Sequence, residues 1–463
     1  MHRPPHRGAK RFTLTLLLFA GVASGQEIPK QYDAVCDTLL KRGFSGDGSY
    51  SLLRELTGKA PHRLAGSDGA AKAVELTTNM MTRLGFANVR VETCMVPYWE
   101  RGALESAEVL QAKGTIRLSV CALGGSIATP VKGITAEVVE VKSFDELQNL
   151  GGGVKGKIVF FNRPIDPSKL NTFEGYSGAV DQRASGAVMA SKMGGVAALV
   201  RSVTTLPDDA PHTGGMGYQD TVARVPGAAL SAVAADRLSG LLKRNPHLRL
   251  RLRLSCRTLP DVPSANVVGE ITGAEKPKEI IVVGGHLDCW DKGSGAHDDA
   301  SGCVQAIEVV DLIRKVGLHP KRTIRAVMFM NEENGLRGGQ AYRAAPERKG
   351  EQQIAAIESD RGGFAPRGFD VQADSSVFEK VIRWRPLFER IDAGRIRRGG
   401  SGVDISPMVN GGVPGFGLYV ENHRYFDYHH SDNDTIDKVN NRELEMGAIV
   451  EALLCYLISE EGL

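Results

Sequence analysis

The stretch GGHLDCWDKGSGAHDDASG, residues 284–302, gathers two histidines and four aspartates into nineteen positions. Carboxylates this close repel one another, so a folded chain needs counter-charge to keep them together. Three readings compete: a solvated loop, a calcium loop, or half of a transition-metal site. Calcium is the weaker match, because DKGSGAHDDASG lacks the ligand spacing and the bidentate glutamate of an EF-hand. Further groups of the right type follow downstream. NEENG supplies Glu332 and Glu333, IESD supplies Asp360, and YHHSDNDT supplies His429 and His430. Imidazole and carboxylate without thiolate suit zinc, with manganese or cobalt as chemical alternatives. The set exceeds the three protein ligands of one catalytic zinc. Two ions about 3.5–4 Å apart, sharing one carboxylate, match it better and would offset the repulsion. Each motif alone has a bland reading: a strand-end histidine paired to a turn aspartate, a solvated helix start, a surface histidine pair. Their joint occurrence argues for the metal site.

Such groups are distant in sequence and must be brought together by the fold. The run EIIVVGGH reads as a buried strand ending at His286, and SGCVQAIEVVDLIRKVG as the helix after it. RTIRAVMFMNEE and QIAAIESD read as strands ending at Glu332–Glu333 and Asp360, and GVPGFGLYV as a later strand. Strands alternating with helices predict a mixed, largely parallel α/β sheet flanked by helices, with functional residues beyond the carboxyl ends of its strands. Upstream, residues 31–95 read as helical, with Gly85 suited to a helix end and NVRVETCMV alternating as a strand. Between 97 and 258 the texture changes to short β-type runs broken by Gly, Pro and Asp, with one small-residue helix, GAVMASKMGG. That interval is expected to be a β-rich domain inserted between residues 26–96 and 259–463.

The bulk composition narrows the function. The chain has 463 residues, 42% hydrophobic and 24% charged, with a formal net charge of +3. Its length allows two domains, and its near-balanced charge gives no support to nucleic-acid binding. MHRPPHRGAKRF is basic without an acid, TLTLLLFAGVA is a short apolar core, and ASG precedes Gln26 with small residues at the cleavage positions. This is the layout of a signal peptide over residues 1–25, which predicts a secreted or periplasmic protein without a membrane span. Seven scattered cysteines lack any CxxC spacing, so either one or two bridges or buried free thiols are expected.

The motifs GGHLD, GAHDDASG, NEENG, ESD and YHHSDNDT resemble, in order and spacing, those of the di-zinc exopeptidases, a family that includes secreted bacterial aminopeptidases and glutamate carboxypeptidase. VPYWERG, GKIVFFNRP, HTGGMGYQD and ESDRGGF extend the likeness over the mature chain, towards the carboxypeptidase Q-like branch. The resemblance implies that 97–258 is a protease-associated domain and that each chain takes two zinc ions. It implies His286 and Asp360 on one ion, Glu333 and His430 on the other, and Asp298 bridging. Asp298 is chosen over Asp299 because the family's bridging aspartate stands four residues before the SG-type glycine. Glu332 is then the general base on a water between the ions, returning its proton to the leaving amine. His429 falls where relatives have an oxyanion-stabilising side chain, and Asp288 where a carboxylate orients a ligand imidazole.

The implied activity is hydrolysis of dipeptides or short peptides, in a chain that the resemblance suggests forms a homodimer. A broad aminopeptidase is the nearest alternative. A glutaminyl cyclase, with one zinc, and a non-catalytic binding protein on the same fold are disfavoured by the complete set of ligands and base. Among lesser candidates, Asp404 in GVDISPM resembles a loop near the family's substrate pocket and would contact a substrate amine. His297 is expected to line or support the site, and Asp291 and Asp299 to shape the loop. RIRRGGSG, residues 395–402, reads as a solvated loop, and Asn433 stands in a glycosylation sequon whose position argues against its use.

Overall fold

A computed structural model describes Met1, residues 30–345 and residues 348–463; the leader expected at 1–25 otherwise lies outside the described residues. The apolar run Ile280–Val283 is buried because alternate side chains enter two different cores. Ile281 and Val283 join Val304 and Ile307 of the helix Ser301–Lys315. Ile280 and Val282 join Tyr342, Ile405 and Met408 on the opposite face.

Numbered in chain order, the strands begin with β1 (Ala87–Glu100), β2 (Glu105–Leu110), β3 (Thr115–Leu118), β4 (Val120–Ala122) and β5 (Ile134–Val141). They continue with β6 (Ile158–Phe161), β7 (Ala197–Arg201), β8 (Gly227–Leu230), β9 (Arg249–Leu254) and β10 (Arg257–Ile271). The last are β11 (Lys276–His286), β12 (Arg322–Phe329), β13 (Gln352–Glu358), β14 (Pro366–Gln372), β15 (Arg395–Arg398) and β16 (Gly415–Val420).

The central sheet has the order β1-β10-β12-β11-β13-β16-β14-β15. Its middle strands β12, β11, β13 and β16 are parallel, while β1, β10 and β14 join antiparallel, giving the expected mixed α/β sheet. Register aligns the carboxyl ends: His286 pairs with Phe329 and Gly284 with Glu358. Residues 330–333 and 359–360 therefore leave the sheet beside His286. On one face the helix Ser301–Lys315 packs between the helices Gly48–Lys59 and Asn441–Glu461. The last is buried along most of its length and carries no amphipathic stripe, so periodicity does not mark it in the sequence. The helix Asp68–Arg83 starts where Ser67 Oγ accepts from the Ala70 N–H, and ends before Gly85 at φ +75°.

Between β1 and β10 the chain builds a second sheet, β3-β2-β9-β5-β6-β7-β8-β4. Its β5, β6, β7 and β8 are parallel, joined in part by the helices Phe144–Asn149 and Asp181–Lys192; the helix Ala232–Arg244 leads from β8 towards β9. The interval is thus richer in helix than its sequence texture indicates. Small residues leave Asp181–Lys192 without a clear apolar face. All seven cysteines are buried and unpaired, so free thiols are the outcome here. Among the described residues no helix is long and apolar enough to cross a membrane.

Candidate metal centre

Asp298 is the centre of the site. Its Oδ1 lies 3.1 Å from His286 Nε2, and its Oδ2 lies 3.2 Å from His430 Nε2. Each imidazole has a second carboxylate: Asp360 Oδ1 is 3.5 Å from His286 Nε2, and Glu333 Oε2 is 3.0 Å from His430 Nε2. Two imidazole–carboxylate pairs thus flank one aspartate, each served by a different oxygen. Asp298 Oδ2 and Asp360 Oδ1 are buried without a hydrogen-bond donor among the described residues. Buried oxygens of that kind are costly unless a cation meets them. The nitrogen and oxygen donors, without thiolate, fit zinc.

Backbone geometry at the strand ends sets these positions. Asp299 turns inward, accepting from the N–H groups of His286 (3.2 Å) and Gly302 (3.0 Å), and ties the end of β11 to the start of the following helix. Gly285 permits this, since a Cβ there would stand 3.0 Å from the Cys303 nitrogen and collide with the Asp299 carboxylate. Asp434 accepts from the N–H groups of His297 (2.7 Å) and Asp298 (3.1 Å), fixing the other end of the loop. His297 itself is packing: its ring stacks on Phe364 at 4.3 Å and Tyr428 at 5.3 Å. Asp291 leaves the loop to pair with Arg101 at 2.6 Å.

Two side chains differ from their expected roles. The His286 ring is oriented by the backbone carbonyl of Asp288, 2.9 Å from Nδ1, while the Asp288 carboxylate stands 3.9 Å away. That carboxylate instead accepts from the N–H groups of Asn331 (2.7 Å), Glu332 (3.0 Å) and Glu333 (3.3 Å). A short side chain at the end of β11 is better placed to gather the adjoining turn than to fold back on its neighbour. Asp404 is fully buried beside Glu358, Asp360 and Asp288, with both oxygens lacking donors among the described residues. Its neighbour Val403, not Asp404, lines the cavity in front of Asp360.

Charge is finely divided over the cluster. Burial works against ionisation of Asp298, but the imidazoles of His286, His430 and His429 hold it well below the usual carboxylate range. Desolvation, reinforced by Asp360, Glu333 and Asp404, pushes Glu332 well above that range. Desolvation and Asp298 bring Glu333 to about 7. His429 is driven well below its ordinary value by burial and by His430. Its ring stacks on that of His430 at 3.4 Å, and its Nε2 lies 3.7 Å from Asp298 Oδ2. The sequence-selected residues His286, Asp298, Glu332, Glu333, Asp360, His429 and His430 are therefore brought to one place.

Other members carry no metal-site signature in the sequence. Arg63 is fully buried and donates to the carbonyls of Leu287 (2.6 Å), Ser294 (2.5 Å) and Gly295 (2.8 Å). The segment between β1 and β10 also reaches the site. His212 Nδ1 is 2.6 Å from the His429 carbonyl, and Thr213 N–H donates to that of His430 at 2.9 Å. Arg183 lies 3.4 Å from His430 Nδ1 and donates to the Tyr176 hydroxyl at 2.6 Å. Asn433 of the sequon donates to Asp208 at 2.6 Å.

A mixed sheet that gathers paired imidazoles and carboxylates around one aspartate at its strand ends is the framework of a zinc metallopeptidase. The model of peptidase family M28 matches residues 266–454, within which every one of those ligand candidates falls. Carboxypeptidase Q of Bos taurus is 35% identical over 421 residues, covering 90% of this chain and 86% of its own. The chain belongs to that family. The crystal structure of a peptidase M28 precursor from Shewanella amazonensis superposes with a TM-score of 0.88 at 33% identity, covering 93% of this chain and 97% of the other. A zinc aminopeptidase from Bacillus subtilis shares the fold at a TM-score of 0.63 and 18% identity, over 88% of this chain and 94% of its own.

Proposed function

We propose that this zinc metallopeptidase is an exported exopeptidase that uses two zinc ions per chain to hydrolyse dipeptides or short peptides. The observation that carries the reading is the division of Asp298, one oxygen towards His286 and Asp360, the other towards His430 and Glu333. His286 and Asp360 would hold one ion, Glu333 and His430 the second, and Asp298 both. When bound, the ions polarise the scissile carbonyl and acidify a water between them.

The chain supplies the remaining steps. Glu332 adjoins this cluster, among His286, Asp360 and Glu333, and is the carboxylate that would take a proton from water and give it to the departing amine. His429, neutral by burial and beside Asp298, is the candidate donor to the developing oxyanion. The likeness to carboxypeptidase Q over 90% of the chain supports a carboxypeptidase Q-like exopeptidase over a broad aminopeptidase. The basic, apolar and small-residue blocks before Gln26 support export to the periplasm or medium. The family resemblance supports a protease-associated role for the segment between β1 and β10, and a homodimer.

The test is elemental analysis together with a substrate panel of free dipeptides, N-blocked dipeptides and amino-acid anilides. Two zincs per chain and cleavage confined to free dipeptides and short free peptides are expected. Cleavage of blocked peptides or anilides would refute the dipeptidase reading. A single zinc with pyroglutamate formation would identify a cyclase.

A further inference from the structure

His430 is the one ligand candidate whose backbone is left-handed, at φ +62°. That region crowds any residue with a Cβ, and a residue stays there only where its surroundings impose it. Glycine would adopt it freely but brings no imidazole. The turn itself supplies little hold. The helix before it, Tyr425–Tyr428, has four residues, and its carbonyls accept from the N–H groups of His429 and Ser431 without engaging the carbonyls of His429 and His430. Those two carbonyls belong to the peptide planes on either side of the His430 Cα, so fixing both fixes its φ and ψ.

Both are taken by residues 212 and 213, in the segment between β7 and β8. His212 Nδ1 lies 2.6 Å from the His429 carbonyl, and because a carbonyl only accepts, Nδ1 carries the proton. Thr213 N–H donates to the His430 carbonyl at 2.9 Å. Both residues are buried, and His212 Nε2 has no partner among the described residues, so the ring's polar contact there is the one to His429. The strap is itself fastened. His212 N–H donates to Ser202 Oγ at 2.8 Å, which donates to the Leu230 carbonyl at 2.7 Å. Thr213 Oγ1 donates to the Ala122 carbonyl at 2.9 Å and accepts from Arg101 at 3.1 Å. Ser202, Leu230 and Ala122 stand at the ends of β7, β8 and β4, which are neighbours in the second sheet. Gly214 completes the strap at φ +130°, where a Cβ would stand 2.7 Å from His430 Nδ1.

We propose that His212 and Thr213 are positioning residues for hydrolysis: their strap holds His430 in the backbone conformation through which it serves its metal ion. The inserted segment is then part of that half of the site. The inference rests on the two-ion reading above and adds an asymmetry to it. The strap grips the half formed by His430 and Glu333, whereas His286 is set by the ties of Asp299 and Arg63 at the end of β11. Loss of the strap therefore falls on one ion.

The test measures zinc affinity of the full chain by competition with a chromophoric chelator, in two backgrounds that each keep one half of the site. His286→Ala keeps the half of His430, and His430→Ala keeps the half of His286. His212→Phe retains the bulk of the ring and loses the Nδ1 donor. It should weaken zinc on the order of tenfold in the His286→Ala background, the effect of leaving a buried carbonyl unpaired. In the His430→Ala background it should change nothing. His212→Asn, whose side-chain N–H stands where Nδ1 was, should restore the affinity. Equal weakening in both backgrounds marks a merely structural role and overturns the proposal, as does no weakening in either. Where His212→Phe does not fold, Gly214→Ala takes its place, with the same selective loss expected. The metal-free chain gives a readout that needs no zinc. The His430 Cε1–H resonance, assigned by its absence in His430→Ala, should shift or broaden in His212→Phe and return in His212→Asn; an unmoved resonance overturns the strap. A parent that takes up a single zinc refutes the two-ion reading instead, and the resonance still decides the strap.

Discussion

Replacing Gly124 by alanine tests whether the metal loop depends on the segment that packs against it. Trp290, in the loop between His286 and Asp298, is 2% exposed and sits in the core of the second sheet, 6.4 Å from Trp99. A Cβ on Gly124 would overlap Cη2 and Cζ3 of Trp290 and stand 2.9 Å from Cζ2. The ring must move, and its backbone N–H donates to Glu333 Oε1 at 3.2 Å. Overpacking of this kind costs about 1–3 kcal/mol. If about 2 kcal/mol of that falls on the loop geometry, zinc binds roughly 30-fold more weakly. The assay is competition for zinc with a chromophoric chelator, with circular dichroism as the check on folding. The Trp290→Ala background supplies the control: with the ring gone, Gly124→Ala should have almost no further effect, so the two changes are strongly non-additive. A folded Gly124→Ala protein that binds zinc within twofold of the parent refutes the reasoning. So does full additivity with Trp290→Ala.

Three further outcomes are expected. Glu332→Gln should keep its zinc by elemental analysis but lose on the order of 10²–10⁴ in turnover, the range for a general base; undiminished hydrolysis removes that assignment. Asp298→Asn should lose both ions together during dialysis, whereas His286→Ala and His430→Ala should each weaken one; loss of a single ion in Asp298→Asn contradicts the shared-ligand geometry. Glu451, buried with neither oxygen paired among the described residues, has its pKa raised by burial from 4.5 to about 8. A raised folded-state value gives stability that is complete below pH 4.5 and is lost as pH climbs towards 8, about 5 kcal/mol in all. Glu451→Gln removes that loss, so its Tm advantage over the parent should grow across this window and then level off; an advantage independent of pH rules the account out.

Much of the centre is legible in the sequence because its side chains are of distinctive type and stand at strand ends. His286, Glu333 and Asp360 follow apolar runs whose parallel register brings them together. Asp288 has the type expected of a histidine partner, yet its carboxylate serves three amide groups, since hydrogen-bond direction depends on a turn that composition does not specify. Trp290 and Arg63 read as ordinary core and surface residues. Their partners lie in remote segments, and only tertiary contact gives them a role. Asp404 is a candidate by motif likeness alone, which carries no information on how deeply the loop is buried.

Arg63 also limits how the N-terminus can be processed. Its three hydrogen bonds span 224 to 232 residues of sequence and fasten both ends of the loop that separates His286 from Asp298. Farther upstream, the helix Gln31–Gly43 packs on the helix Asn441–Glu461, and the Tyr32 hydroxyl donates to Glu461. Maturation that removes a leader leaves these contacts whole, but a protease that cut beyond Arg63 would unfasten the metal loop from the inside. The segment ahead of the first strand thus carries, in Arg63, the fastening of the loop between His286 and Asp298.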